Sequence, residues 1–323
     1  MHKDRLTLRQ AWAQSPGPEN GRQAALLAMK GFCMGAADII PGVSGGTIAF
    51  ITGIYDQLVD AIRSFDVSVL NRLFRFDLPG VVSRFHLKFL FFLLFGIGLA
   101  IVGMARVMHH MLSNHPVEIW SLFFGLIAAS IYIVGKRIEE LNGTNIFFCA
   151  MGILGCYLLV GMIPVTTPET LWFVFLCGAI AICAMILPGI SGAFILLMLG
   201  KYEYITRTLK NPFLPDNLEI IAVFLAGAGL GIIVFSRVLH YLLDRWHAAT
   251  VSVLTGFMIG ALRKVWPWKE ILESVVIRGK VHVLREQNIL PGMDGDLVVA
   301  LCLMALGMAV VLALDWISNG RSE

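Results

Sequence analysis

Charge is what this chain has least of. Only 15% of its 323 residues are Asp, Glu, Lys or Arg, against 57% hydrophobic, and the mean hydropathy is +0.78. Soluble domains carry roughly a quarter charged residues, so a water-soluble globular fold is excluded and a polytopic membrane protein is implied. Cysteine pairing is also missing. Cys33, Cys149, Cys156, Cys177, Cys183 and Cys302 all lie in apolar segments with no CxxC pair and no nearby histidine set, which reads as packing thiols rather than disulfides or a metal centre. A cleavable leader is not indicated either: the first apolar run begins after Arg22 and leads into Asp38 rather than into a small-residue cleavage site. No cofactor, metal or nucleic-acid partner is expected; the partner implied is the lipid bilayer.

What is present are apolar runs long enough for a roughly 30 Å hydrocarbon core. They cover about 87–112, 117–134, 146–163, 218–243, 250–262 and 297–317, six expected spans. The net charge of +3 matters less than its placement. Arg63, Arg72, Arg75, Arg84 and Lys88 crowd one loop, the next short loop has no Lys or Arg, and Lys136 and Arg137 follow one span later. The first half therefore reads with its N-terminus on the cytoplasmic side of the membrane. The second half is less regular, with Lys201, Arg207, Lys210, Arg263 and Lys264 on the expected outside.

One phrase occurs twice: "DIIPGVSGGTIAFITGIYD" from Asp38 to Asp56 and "MILPGISGAFILLMLGKYE" from Met185 to Glu203. At a constant offset Pro41, Gly42, Ser44, Gly45, Gly53, Tyr55 and Asp56 fall on Pro188, Gly189, Ser191, Gly192, Gly200, Tyr202 and Glu203. A second offset lays Phe95–Leu112 on Ala226–Leu243, pairing Gly96 with Gly227, Arg106 with Arg237 and His109 with His240, and also pairs Gly125 with Gly256. The chain is a tandem duplication. We divide it into a cytoplasmic tail (1–22), a first repeat (23–163, broken element 26–62) and a second repeat (164–318, broken element 171–209, extramembrane segment 264–296). The fold class expected is all-α and polytopic, each half one re-entrant helical hairpin plus three transmembrane helices. Three spans are an odd number, so the second copy would sit upside down relative to the first, the inverted-repeat plan of many secondary transporters. Two ordinary spans joined at Pro-Gly are the alternative to re-entry.

Pro-Gly-x-Ser-Gly has a physical reading. Proline disfavours helix in the residue before it, so the incoming helices should end near Ile40 and Leu187. Pro41, Gly42, Pro188 and Gly189 then form the turns, and Ser44 and Ser191 are placed to cap outgoing helices of about 17 residues. Free amides at such a tip suit an anion, above all a phosphate; packing devices built on close glycine contact are the alternative.

Charged residues inside apolar segments mark function by default. Arg106 and Arg237 stand at matching positions, two turns from the ends of their spans, with snorkelling to the head groups as the plainer reading. Asp38 has no acidic counterpart in the second half and is a partner for Lys30 or an arginine, or a coupling group. Asp56 and Glu203 follow Tyr55 and Tyr202 at the hairpin mouths, as gate or as solvated surface. The stretch "LRKVWPWK" (Leu262–Lys269) joins interfacial tryptophans to Arg263 and Lys264, which suits lipid head groups. "VVIRGKVHVL" (Val275–Leu284) reads as a short strand hairpin outside the bilayer.

"KGFCMGAADIIPGVSGGT" (Lys30–Thr47), "ILPGISG" (Ile186–Gly192) and "LRKVWPWK" resemble the bacterial and archaeal family of undecaprenyl phosphate translocases over roughly 23–318. The resemblance implies return of the carrier lipid from the outer to the cytoplasmic leaflet. The mechanism we expect is alternating access, with the phosphate held by Ser44, Gly45, Gly46, Thr47, Ser191 and Gly192 together with Arg106, Arg237, Arg263 and Lys30. Asp38, Asp56, Tyr202 and Glu203 would gate or couple, to a proton or sodium, and a homo-oligomer stays open. A transporter of a small soluble anion is the alternative. An intramembrane lipid phosphatase is disfavoured, because Gly46 and Ala193 follow Ser-Gly where such enzymes place a histidine nucleophile.

Overall fold

The computed structural model describes residues 7–39, 44–64, 77–136, 138, 142–162, 167–210, 212–277, 280–293 and 295–319. In chain order the first half comprises α1 (Leu8–Gln14), α2 (Gly21–Asp38), α3 (Gly45–Ile51), α4 (Tyr55–Arg63), α5 (Leu78–Arg84), α6 (Leu87–Asn114), α7 (Pro116–Gly135) and α8 (Gly143–Val160). The second comprises α9 (Leu171–Ile186), α10 (Gly192–Met198), α11 (Tyr202–Lys210), α12 (Pro215–Arg245), α13 (His247–Val265), strands β1 (Lys269–Ile277) and β2 (Lys280–Asn288), and α14 (Gly295–Asn319). The helices α6, α7, α8, α12, α13 and α14 are long and apolar enough to cross a membrane, three in each half. Local signals set their starts: Asn142 caps α8 through Asn145 N, and Pro116 and Pro215 open α7 and α12 where no amide is needed.

The two broken elements fold alike, and not as single bent helices. α9 stops at Ile186 and Leu187 turns extended ahead of Pro188, as the proline requires. Gly189 then adopts φ +92°, a left-handed conformation open to glycine. Pro41 and Gly42 lie outside the described residues. Ser44 and Ser191 cap α3 and α10, as expected. The outgoing arms, however, break again after seven residues rather than running for seventeen. Gly53 and Gly200 take φ +69° and +63°, and paired bonds close each end: Ile54 N to Ala49 O and Gly53 N to Phe50 O, Lys201 N to Leu196 O and Gly200 N to Leu197 O. These are Schellman caps, which end a helix at glycine.

Packing repeats with the same fidelity. α2 runs along α6 and α9 along α12 within each half, while α7 packs on α14 and α13 on α8 across the halves. Glycines make these crossings close. A Cβ on Gly96 would lie 1.9 Å from Ala28 O, and on Gly227 2.0 Å from Phe175 O. The cross-half pairs match as well, with Gly125 against Met304 O at 2.0 Å and Gly256 against Cys149 O at 2.2 Å. α7 and α13 bury half of their apolar windows and form the centre, whereas α6, α8, α12 and α14 turn more of theirs outward, exposing side chains such as Phe91, Leu99, Leu225 and Leu230 to lipid.

Two further pieces lie outside the six long apolar helices. The segment read as a tail contains α1, held by a Thr7–Gln10 capping box and lying against α5, with Ser15 Oγ donating to Phe85 O. The strand hairpin expected at 275–284 is present and longer: β1 and β2 pair antiparallel from Lys269↔Asn288 to Ile277↔Lys280, with an irregularity near Glu273. Its tip, Arg278 and Gly279, lies outside the described residues.

Candidate functional site

The two hairpins meet at their breaks. Ser44 Oγ accepts from Gly46 N at 3.1 Å and donates across the interface to Leu187 O at 3.2 Å. Thr47 Oγ1 accepts from Gly189 N at 2.9 Å. A Cβ on Gly46 would sit 2.7 Å from Ile186 O, so only glycine allows the first tip to approach the end of α9 this closely. Ser44 and Thr47 are 1% exposed and Ser191 6%. Ser44 and Thr47, expected to grip a phosphate, are therefore satisfied within the protein, as buried polar groups in a membrane must be.

An anion does occupy the first tip, and it belongs to the protein. Asp38 Oδ1 accepts from Gly45 N at 2.7 Å, and the carboxylate fills the space a Cβ on Gly45 would take. At the second tip the equivalent side chain, Met185, lies over Gly192 in the same way without a charge. The expected pairing of Asp38 with Lys30 is not formed. Lys30 Nζ instead donates to Thr52 O at 2.7 Å, the last carbonyl of α3, where helix polarity favours a cation. At the matching end of α10, Thr167 Oγ1 donates to Leu199 O, and the buried Lys201 donates to Thr167 O at 2.7 Å. Lys30 is thus a clamp on the hairpin arm, removed from the tips.

The cationic site lies at the end of α13. A cavity of about 1110 Å³ opens between α7, α8, α10, α13 and the strand hairpin. Three cations line it, each over an aromatic ring from a different helix: Arg263 over Tyr157 of α8 (4.3 Å), Lys264 over Phe194 of α10 (5.5 Å) and Lys269 over Trp120 of α7 (4.7 Å). Arg263 also donates to Tyr157 O at 3.1 Å in the last turn of α8, with Gly161 leaving room for the guanidinium. Lys264 and Lys269 converge on Glu286 Oε1 at 2.6 and 3.0 Å. Burial pushes the Lys269 ammonium down to about 8, against the pull of Glu286. Burial pushes the Glu286 carboxyl up, but Lys269 and Lys264 outweigh it and leave it below the usual carboxylate value. Trp266 Nε1 and Asn288 Nδ2 tie the strand hairpin to this corner through Ile289 O and Arg263 O. Three cations and one carboxylate leave the described lining with a net charge of +2.

Of the arginines expected to converge, only Arg263 reaches this cavity. Arg106 and Arg237 are exposed on α6 and α12 and make no ion pair or hydrogen bond to the hairpin tips among the described residues, which fits snorkelling. Asp56, Tyr202 and Glu203 are exposed at the hairpin mouths. His240 bridges the halves: its Nδ1 lies 3.0 Å from Asp60 Oδ1 and its Nε2 2.5 Å from Arg63 Nη1. Lys269 and Glu286 are the site residues that sequence reasoning did not single out. Lys269 stood at the edge of "LRKVWPWK"; nothing local marks Glu286.

Comparison with known proteins places the chain in a family. Residues 34–282 match a family model described as VCA0040-like, undecaprenyl phosphate translocase-like. A Vibrio cholerae protein named polyprenyl-phosphate transporter is 40% identical over 295 residues, covering 89% of this chain and 94% of the relative. A Staphylococcus aureus protein of the same name is 29% identical over 253 residues, covering 74% and 85%. No solved structure matches. The match spans the first hairpin tip, all but one of the six spans and the Arg263 corner, and the chain belongs to the undecaprenyl phosphate translocase-like family.

Proposed function

We propose that this protein moves undecaprenyl phosphate from the outer to the cytoplasmic leaflet of a bacterial inner membrane, returning the carrier lipid to cell-wall synthesis. Its relatives are named for transport of a polyprenyl phosphate. The observation that carries the reading is the cavity at the end of α13. It joins three cations to aromatic and aliphatic walls at Trp120, Phe124, Tyr157 and Met162, a lining suited to a phosphate on an apolar tail rather than to a free anion.

In this reading the halves are inverted, because each contributes three spans. With the N-terminus cytoplasmic, the Arg263 cavity faces outward. The phosphate docks there while its tail stays between helices in lipid. Phe194 links the cationic corner to the second hairpin, and movement of that hairpin past the first would carry the head group inward. Asp38 would release Gly45 as the phosphate reaches the tips, which makes Asp38 the group to couple a proton to the cycle.

The test is leaflet exchange of labelled undecaprenyl phosphate in liposomes holding the purified protein, with free phosphate as competitor. Exchange that depends on protein and falls at least about tenfold in Arg263→Ala supports the reading, since a bidentate guanidinium contact to phosphate contributes at least that much. Uptake of free phosphate without lipid exchange would instead identify a soluble-anion transporter.

A further inference from the structure

The strand hairpin has no place in the transport cycle just described, yet it supplies the one carboxylate among the described residues of the cationic cavity. Glu286 comes from β2 and accepts from both Lys264 and Lys269 through a single oxygen. Each lysine already has a second hold, Lys264 over Phe194 and Lys269 over Trp120 and on Lys264 O at 2.6 Å. The acid is therefore not needed merely to place the lysines. What it does is remove one unit of positive charge from the site.

We propose that Glu286 sets the head-group selectivity of this cavity, holding the described lining at a net charge of +2 so that it takes a polyprenyl monophosphate in preference to a polyprenyl diphosphate. The inference rests on the transport reading above. A phosphate monoester carries about −1.5 to −2 at neutral pH, which the lining matches; a diphosphate brings further negative charge that it does not. Shape cannot make the distinction, because a space of about 1110 Å³ holds either head group easily. Discrimination between nested ligands needs a repulsive element, and Glu286 is the one acidic group in the described lining. The strand hairpin is on this account a selectivity wall.

The experiment compares polyprenyl monophosphate and diphosphate in the liposome exchange assay. It also measures binding of geranyl monophosphate and diphosphate to the full-length protein in detergent, read through tryptophan fluorescence, since Trp120 and Trp266 line the cavity. Wild type is expected to favour the monophosphate. Glu286→Gln raises the lining to +3 and should shrink that preference about tenfold, the scale of one modest ionic interaction. Adding Lys269→Gln to Glu286→Gln returns the lining to +2 and should restore the preference, an outcome that a purely structural role for Glu286 does not predict. Gln287→Lys adds a charge to the same wall without touching the triad and should act as Glu286→Gln does, which decides the matter if Glu286→Gln does not fold. A preference unchanged in folded Glu286→Gln and in Gln287→Lys overturns the proposal. If wild type exchanges neither lipid, the transport reading fails, and the binding ratios alone decide the selectivity.

Discussion

The two hairpins are built from one repeated phrase and end in different environments. Tyr55, at the head of α4, is 2% exposed and packed on Phe50, while its counterpart Tyr202, at the head of α11, is 39% exposed. α4 is pinned to α12 of the other half through Asp60, His240 and Arg63. The second half lacks the residues for that pin, because the positions of Asp60 and Arg63 are held by Arg207 and Lys210, two cations in place of an acid and a base. The cationic cavity shows the reverse bias: Arg263 and Lys264 correspond to Tyr132 and Ile133 in the first half. Duplication therefore fixes the scaffold, and later divergence assigns a closed side to one hairpin and a charged, open side to the other. A carrier that loads on one face needs such a difference.

The scaffold itself should fail equally in both halves. Gly96→Leu and Gly227→Leu each drive a side chain into a backbone carbonyl about 2 Å away, and overpacking of this kind should cost at least about 3 kcal/mol. Gly98→Ala and Gly229→Ala, which meet nothing within 4 Å, should stay within about 0.5 kcal/mol of wild type. Thermal unfolding in detergent measures all four. A large cost in one half alone would show that the crossings are not equivalent units.

The pin predicts a smaller and one-sided effect. Asp60 and His240 are partly exposed, at 48% and 31%, so Asp60→Asn should weaken α4 docking by no more than about 1 kcal/mol. The measurement is maleimide labelling of a cysteine placed at Val59, which is buried in wild type, in a background without the exposed Cys33 and Cys302. Labelling should rise about three- to fivefold in Asp60→Asn, the population shift that such an energy allows. Glu203→Gln at the second hairpin should leave that rate alone. Equal responses to both would mean that the hairpins move as one body and that the pin holds nothing in particular.

Much of this was legible in the chain. Long apolar runs mark the six spans, and Pro-Gly-x-Ser-Gly marks both breaks and their serine caps, because these signals are local and physical. The second break in each arm was equally local: Gly53 and Gly200 stand at matching positions, and their left-handed backbone ends the helices. The site was harder. Arg106 and Arg237 occupy matching positions, which in a duplicated chain means equivalent places, not a shared one. Asp38 and Lys30 share a helix, yet each answers a different helix end, Asp38 the start of α3 and Lys30 its close. Glu286 meets Lys264 and Lys269 only because β2 folds back along β1, a pairing that no periodicity in α13 announces.

The least disruptive way to sharpen the contrast between the charged side and its uncharged counterpart is to titrate it. Lys269, pushed down to about 8 by burial, is protonated below that pH and loses its charge as the pH rises through it. The described lining then falls from +2 to +1, while a phosphate monoester, with its second pKa near about 6, remains a dianion across the same range. Binding of a short-chain prenyl monophosphate should therefore weaken a few-fold between about pH 7 and pH 9, a loss smaller than tenfold because the lysine is one of three cations. Lys269→Arg keeps its charge throughout and should flatten the profile, and Lys269→Met should bind at pH 7 as wild type does at pH 9. A flat wild-type profile beside a weak Lys269→Met would mean that Glu286 holds the ammonium charged more firmly than burial opposes it. The selectivity wall would then act through a triad that does not titrate in the working range, and the positive side of the carrier would be permanent.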